Sequence, residues 1–210
     1  MAISQITVAI IILSMFLIVF AVPIYRRKQE LEALQNICKR HSWELVKRDS
    51  GHEVVPERDE DWTVFLTKEN PKPQSYREVL YWEAINLTST SPFFMTRKIS
   101  SDLLAEMILK STMLQRPNVF DPSTTLIPFG SKSFRSKYSC WAADEEILRQ
   151  TLTEDVQEVL LKYSGRDIHL FRLPNSLEIR QSNQVHIPDI PHMIELGQTI
   201  LQLNQKNTSH

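Results

Sequence analysis

Three evenly spaced side chains near the C-terminus have the residue types of a metal site. His186, Asp189 and His192 recur every three residues, and imidazole and carboxylate are ligands that zinc accepts. Pro188 and Pro191 prevent a regular helical presentation of these groups. No further ligand cluster accompanies them in the sequence, so we interpret the histidines as surface residues and expect no metal site.

The two cysteines are the candidates for thiol chemistry. Cys140 lies beside Trp141 in an apolar run, which is typical of a buried and unreactive thiol. Cys38 has His41 as its one nearby potential co-ligand. In a domain that faces a reducing compartment, both thiols are expected to be free and structural.

A short polar segment, Gly130-Ser131-Lys132-Ser133, shares its last residues with phosphate-binding loops. The glycine that should precede the lysine is replaced by Ser131, and the chain has only 4 glycines, against roughly fifteen at average usage. Such loops need clustered glycines to wrap backbone N–H groups around a phosphate. We therefore predict an exposed hairpin loop whose cations, Lys132, Arg135 and Lys137, are candidates for contact with anionic lipid.

The acidic run Glu57, Asp59, Glu60 and Asp61 could in principle supply paired carboxylates. Arg58 interrupts it, and the glycine and ligand spacing of a calcium loop are missing. The sequence also lacks Gly-x-Ser-x-Gly, His-Glu-x-x-His and Cys-x-x-Cys motifs. We predict a solvated loop here, and no catalytic or cofactor-binding residue anywhere in the chain.

The elements that would position these groups follow a hydrophobic N-terminal segment. Residues 1–25 contain no charged side chain, and a helix over residues 6–25 would span roughly 30 Å, the hydrocarbon thickness of a bilayer. The first five residues lack the Lys or Arg of a signal peptide. The sequence therefore predicts an uncleaved anchor over residues 1–25. The candidate residues for the anchor and its topology are Ile6, Phe16, Tyr25, Arg26, Arg27 and Lys28.

Flanking charge predicts the orientation of this anchor. No Lys or Arg precedes it, whereas Arg26, Arg27 and Lys28 follow it directly. The positive-inside bias places the N-terminus outside and the domain in the cytoplasm, at the cell inner membrane. In the inverted topology, which is the alternative, Asn86-Leu87-Thr88 would be a glycosylation acceptor in a eukaryote.

The rest of the chain predicts one α+β domain. We expect a basic juxtamembrane helix over residues 26–42, a cytoplasmic α+β domain over residues 43–203 and a polar tail over residues 204–210. The domain should hold a mostly antiparallel sheet covered on one face by three to four helices. The predicted helices are residues 28–42, 102–115, 144–162 and 191–203, and the main predicted strands are residues 43–48, 62–67, 77–88, 93–99, 124–129, 137–142, 168–173 and 177–180.

Neighbouring aromatic residues on one predicted strand mark a candidate interface. Tyr81 and Trp82 must point to opposite faces, so one of them is expected to be partly exposed. Membrane lipid and other membrane proteins are the expected partners, and a second copy of the chain is a further candidate. A net charge of −1 gives no basic footprint for nucleic acid.

Two resemblances bear on function. From Phe134 onward, the strand over residues 137–141, the helix ending at Leu160 and the hairpin over residues 168–180 resemble the C-terminal part of membrane-anchored bacterial domains of uncharacterised function. The layout of anchor and cytoplasmic α+β domain is similar to the division protein that tethers the tubulin-like ring. That family has a long Pro/Gln-rich linker, which this sequence lacks, so its ring-binding role does not carry over.

Together these patterns predict a non-enzymatic, single-pass inner-membrane protein. It would act as a scaffold or accessory subunit of a membrane-associated complex, with cell division and envelope assembly as candidate processes. The alternatives are a membrane-anchored enzyme with an unfamiliar site, and an extracytoplasmic domain if the topology is inverted.

Overall fold

A computed structural model describes residues 14–49, 51–57, 61–72, 75–87, 91–116, 118–182 and 185–208. Over these residues the fold is α+β, as predicted, and its centre is one large antiparallel sheet. The strands are β1 (Trp43–Arg48), β2 (Gly51–Pro56), β3 (Trp62–Lys72), β4 (Ser75–Ala84), β5 (Phe93–Arg97), β6 (Thr125–Ile127), β7 (Tyr138–Ala142), β8 (Ile168–Arg172) and β9 (Leu177–Gln181). Their order across the sheet is β1-β2-β3-β4-β9-β8-β5-β7-β6.

The helices are more numerous than the sequence predicts, and the first and the last of them are longer than predicted. Within the described ranges they are α1 (Val22–His41), preceded by a π-helical turn over Leu17–Ala21, α2 (Asp102–Gln115), α3 (Lys132–Lys137), α4 (Glu145–Thr151), α5 (Glu154–Lys162) and α6 (Asp189–Thr208). None of the helices in the described part of the chain is long and apolar enough to cross a membrane. The predicted anchor over residues 6–25 is described only from residue 14 onward.

Local capping explains two predictions that are wrong. Residues 144–162 form two helices, because the Thr153 hydroxyl accepts a hydrogen bond from the Val156 N–H and starts a new helix. The expected loop over residues 130–135 also becomes helical. Ser131 caps α3 by accepting from the Phe134 N–H, and the Phe134 side chain is fully buried.

One face of the sheet is covered by helices α1 and α3 to α6. Its strands contribute alternate apolar side chains such as Trp82, Leu170 and Ile179, which are fully buried with residues of these helices. Gly197 brings the α6 backbone onto Trp82, where a Cβ atom would overlap the indole ring. Glycine is therefore needed at this point of closest approach between helix and sheet.

The opposite face is covered only in part. Helix α2 packs there on β5 and β7, where Ala105 joins Phe94 and Trp141 in a second, smaller core. Phe94 and Trp141 stack with ring centroids 4.7 Å apart. The expectation that helices cover a single face is therefore wrong, because α2 packs Ala105, Ile108 and Leu109 onto the second face.

Candidate functional site: the open face of the sheet

Hydrogen bonds and ion pairs occupy the three C-terminal residues that have the types of metal ligands. Asp189 accepts hydrogen bonds from the His186 backbone N–H at 2.9 Å and from the Gln181 amide at 3.2 Å, and it pairs with Arg166 at 2.8 Å. His192 lies 4.0 Å from Glu195. Within the described ranges no three His, Cys, Asp or Glu side chains converge on one point.

A Ser-His-Asp group that no sequence motif indicates lies where β8 begins and β9 ends. The Ser182 hydroxyl lies 3.3 Å from His169 Nε2 and donates to Asp167 at 3.0 Å. Asp167 also approaches Nε2 of His169, at 3.4 Å. In a catalytic triad the carboxylate binds Nδ1 and leaves Nε2 for the serine, so this cluster lacks the geometry of an activated nucleophile.

Both cysteines are buried and free. Burial raises the pKa of Cys140 to about 12, and it also raises the pKa of Cys38. Thiols of this kind are protonated and weakly nucleophilic at neutral pH. His41, the proposed co-ligand of Cys38, stacks on Trp43 with ring centroids 4.4 Å apart.

The residues of the predicted anchor are exposed where the structure describes them. Phe16 is 60% and Tyr25 is 64% exposed, and Arg26 pairs with Glu30 one helical turn later at 3.3 Å. Lys28 likewise faces Glu32, at 3.9 Å. Ile6 lies outside the described residues, and Arg27 is described only as part of the α1 backbone.

The predicted lipid contacts lie on α3, and the predicted interface residues lie on β4. Lys132, Arg135 and Lys137 are exposed on α3 rather than in a loop. Tyr81 and Trp82 point to opposite faces of β4, and Trp82 is the residue that is fully buried. Tyr81 is half-buried on the face opposite to α6, so it is the member of the pair that can meet a partner.

Tyr81 belongs to a row of side chains that crosses four strands. The strand registers place Glu53 opposite Phe65, Phe65 opposite Tyr81, and Tyr81 opposite Arg180. The Phe65 and Tyr81 rings stack with centroids 4.7 Å apart, and the Arg180 guanidinium lies 5.5 Å from the Tyr81 ring. The row thus contains a buried carboxylate, two aromatic rings and a cation in sequence.

A second row runs beside the first. It places Thr63 opposite Glu83, Glu83 opposite Glu178, and Glu178 opposite Phe171. Two carboxylates directly opposite each other repel. Burial and the facing Glu178 carboxylate together raise the pKa of Glu83.

Two arginines compensate the buried Glu178. Arg116, just after α2, binds both Glu178 carboxylate oxygens, one of them at 2.9 Å, and Arg180 lies 3.2 Å from the same group. Both guanidinium groups also lie over the Phe171 ring, at 4.9 and 5.4 Å. Beyond this network, towards β2, no described helix contributes to the face.

We call the surface formed by Glu53, Thr63, Phe65, Tyr81, Glu83 and Arg180 the open face. Beside it is a depression of about 450 Å³, lined by residues that include Arg48, Gly51 and Thr67. Glu53 itself is buried and pairs with Arg48. Planar rings flanked by fixed charges can bind apolar and charged groups of another protein at the same time.

The sequence pattern indicated only part of this face. Alternation along β3 and β4 implies that Phe65 and Tyr81 lie on one side of their strands. It does not reveal that β9 pairs with β4, so Glu178 and Arg180 were not identified as neighbours of Tyr81. Comparisons with protein-family models, curated proteins and solved structures found no match to this chain.

Proposed function

We propose that this chain is a non-enzymatic, single-pass membrane protein that binds a protein partner through its open face. The observation that carries the proposal is the row from Glu53 through Phe65 and Tyr81 to Arg180, which no described helix covers. Tyr, Phe and Arg are enriched at protein interfaces, where they provide most of the binding energy. The chain would thereby act as a scaffold or accessory subunit of a membrane complex.

The membrane part of the proposal rests on the charge-free residues 1–25 and on the cations that follow them. It is supported by helix α1, which runs without interruption from Val22 to His41 and packs Leu34 and Cys38 into the core. A single residue, Ser42, in the left-handed conformation connects α1 to β1. Helix α1 would therefore connect the proposed anchor to the core of the domain. From the flanking cations we propose an inner membrane with the domain in the cytoplasm.

Site-specific photocrosslinking in the native membrane tests the interface. A photoreactive residue at Tyr81 should give a discrete protein adduct, whereas one at Glu158, exposed on α5 behind the covered face, should not. Arg180→Glu should abolish the adduct at position 81. Identical adducts at both positions, or an adduct that is insensitive to Arg180→Glu, would contradict binding through the open face.

The anchor is tested separately. The full chain should resist extraction from membranes by alkaline carbonate, and a variant lacking residues 1–25 should be released. A reporter fused after His210 distinguishes the two topologies, because a reporter active only outside the cytoplasm would support the inverted one. Carbonate release of the full chain would overturn the anchor without affecting the interface test.

Candidate processes for such a complex are cell division and envelope assembly. Adducts from position 81 would identify the process directly, because the partner itself is captured.

A further inference from the structure

A small pocket lies at one edge of the sheet, where β6 and β7 separate. The pairing of these two strands ends with Ile127 opposite Cys140. Beyond that pair the chain after β6 passes through Pro128 and Phe129 into α3, while β7 begins at Tyr138. The unpaired ends of the two strands line a pocket of about 240 Å³.

The walls of this pocket are largely apolar. Phe129 is 6% exposed and packs in the main core together with Tyr138. The Tyr138 hydroxyl donates to the Leu160 carbonyl at 2.8 Å, so Tyr138 contributes mainly its ring to the wall. Ile127 is half-buried, and Leu126 is exposed beside it. Walls of this kind accept the apolar part of a ligand.

Ser139 is a buried polar side chain that also lines the pocket. It is 3% exposed, and its hydroxyl oxygen accepts a hydrogen bond from the Ile99 N–H at 3.2 Å. A serine hydroxyl can in addition donate one hydrogen bond. Among the described residues no group accepts this proton. Because an unpaired buried donor costs free energy, an acceptor oxygen in the pocket would be favourable.

Two exposed cations, Lys98 and Arg135, form part of the rim. Lys98 makes no ion pair with a carboxylate in the part of the chain that the structure describes. Arg135 also lines a neighbouring depression that contains Glu145, Glu154 and Glu158. Lys98 is therefore the cation whose charge is available to an occupant of the pocket.

We propose that this pocket binds a small apolar carboxylate. Lys98 can only donate hydrogen bonds, the Ser139 hydroxyl still has its proton to donate, and no described residue that lines the pocket carries a carboxylate. A ligand carboxylate accepts several charge-assisted hydrogen bonds at once, while Ile127 and Phe129 contact its apolar group. The inference goes beyond the proposed function, because β8 and β5 separate this pocket from the strands of the open face.

The size of the pocket limits its occupant. Ligand pockets usually measure about 300–1,000 Å³, so this smaller one admits an acid with a small branched or aromatic group. Such a carboxylate occurs in a free acid such as isovalerate, and at the C-terminus of a peptide that ends in an apolar residue. Both sources present the same chemistry to Lys98 and Ser139, and a competition experiment distinguishes them.

Fluorine NMR of the full chain in detergent micelles tests the site. The signal of para-fluorobenzoate should broaden on binding, whereas the signal of para-fluorobenzamide, which has the same shape without the charge, should broaden much less. Micelles without protein give the contribution of the detergent. Isovalerate and N-acetylleucine then compete for the bound fluorobenzoate, and the stronger competitor identifies a free acid or a peptide C-terminus as the source.

Single variants locate the bound acid. Lys98→Gln should raise the Kd of para-fluorobenzoate roughly tenfold, because a hydrogen bond to a charged donor is lost. Lys47→Gln removes an exposed lysine from β1, at the opposite edge of the sheet, and should leave the Kd unchanged. Ser139→Ala should also raise the Kd, and thermal unfolding checks its fold because the Ile99 N–H loses its acceptor. Lys98→Gln alters an exposed side chain, so it decides the question even if Ser139→Ala unfolds.

The outcomes separate the pocket from the open face. Arg180→Glu should leave the binding of para-fluorobenzoate unchanged, although it should abolish the crosslink at Tyr81. Loss of binding in Arg180→Glu would place the acid on the open face and overturn the pocket. Equal broadening of the acid and the amide, or equal Kd values for Lys98→Gln and Lys47→Gln, would also overturn it. None of these results bears on the crosslink at Tyr81, by which the proposed function is judged.

Discussion

The two faces of the central sheet differ in what their aromatic residues do. On the covered face Trp82 is sealed beneath α6, with Gly197 allowing the helix backbone to touch the ring. On the open face its neighbour Tyr81 stacks on Phe65 and is half-buried. Of these adjacent positions, Trp82 contributes to the core, and Tyr81 is the one for which we propose a role in recognition.

The largest expected effect is at Trp82. Trp82→Ala should lower the free energy of unfolding by about 3–5 kcal/mol, because it leaves a cavity under α6. Urea unfolding of the full chain in detergent measures this loss. Trp82→Phe should lose much less, since the indole N–H has no partner among the described residues and its removal relieves a buried unpaired donor. Equal losses for the two variants would contradict this account of the covered face.

Local sequence predicted a strand over residues 77–88, which overlaps β4 (Ser75–Ala84), but did not decide which side of it would be covered. The alternation of Tyr81 and Trp82 shows only that the two point in opposite directions. Which of the two side chains is covered depends on the approach of Gly197, which belongs to a helix far along the chain. No local pattern reveals this approach. The same limit applies to Glu83 and Glu178, whose opposition exists only through the β4–β9 pairing.

Short polar signals caused two of the differences in the helices. Thr153 divides a continuous apolar pattern into α4 and α5, and Ser131 starts α3 where a loop is expected. Both are side-chain caps with strength comparable to the propensities they override. The hairpin of β8 and β9, by contrast, was predicted because Pro174-Asn175-Ser176 separates two strongly alternating runs.

The boundary between the covered and open parts of the second face depends on Arg116. Arg116→Met should lower the free energy of unfolding by about 1–3 kcal/mol, because among the described residues Glu178 then keeps Arg180 as its cationic partner. The double variant Arg116→Met with Glu178→Gln should recover part of the loss. Urea unfolding of the three proteins measures the coupling, and strictly additive losses would show that the ion pair does not hold α2 to the sheet.

A smaller effect on stability is expected at Tyr81. Tyr81→Ala should cost about 1 kcal/mol, the contribution of its aromatic pair with Phe65. For the binding test the photoreactive residue is placed at Phe65 instead. Tyr81→Ala should then strongly reduce the amount of crosslinked partner that is recovered. A variant that unfolds as easily as Trp82→Ala would mean that the open face contributes to the core rather than to recognition.

The smallest effect concerns the pH dependence of stability, and it depends on Glu83. Burial and the opposing Glu178 raise the pKa of Glu83 in the folded state, so the folded protein binds this proton more tightly than the unfolded chain does. The corresponding stability is present below the unfolded pKa, near 4.3, and is lost as the pH rises through the folded pKa. Glu83→Gln should therefore be at least as stable as the parent at pH 7, with a shallower decline in stability from pH 4 to pH 7.

Chemical unfolding at several pH values measures the slope, and Glu158→Gln on the exposed side of α5 reports the effect of deleting a carboxylate alone. A steeper decline in Glu83→Gln would mean that the open face stabilises the charged carboxylate, in which case Arg180 and Arg116 outweigh the repulsion from Glu178.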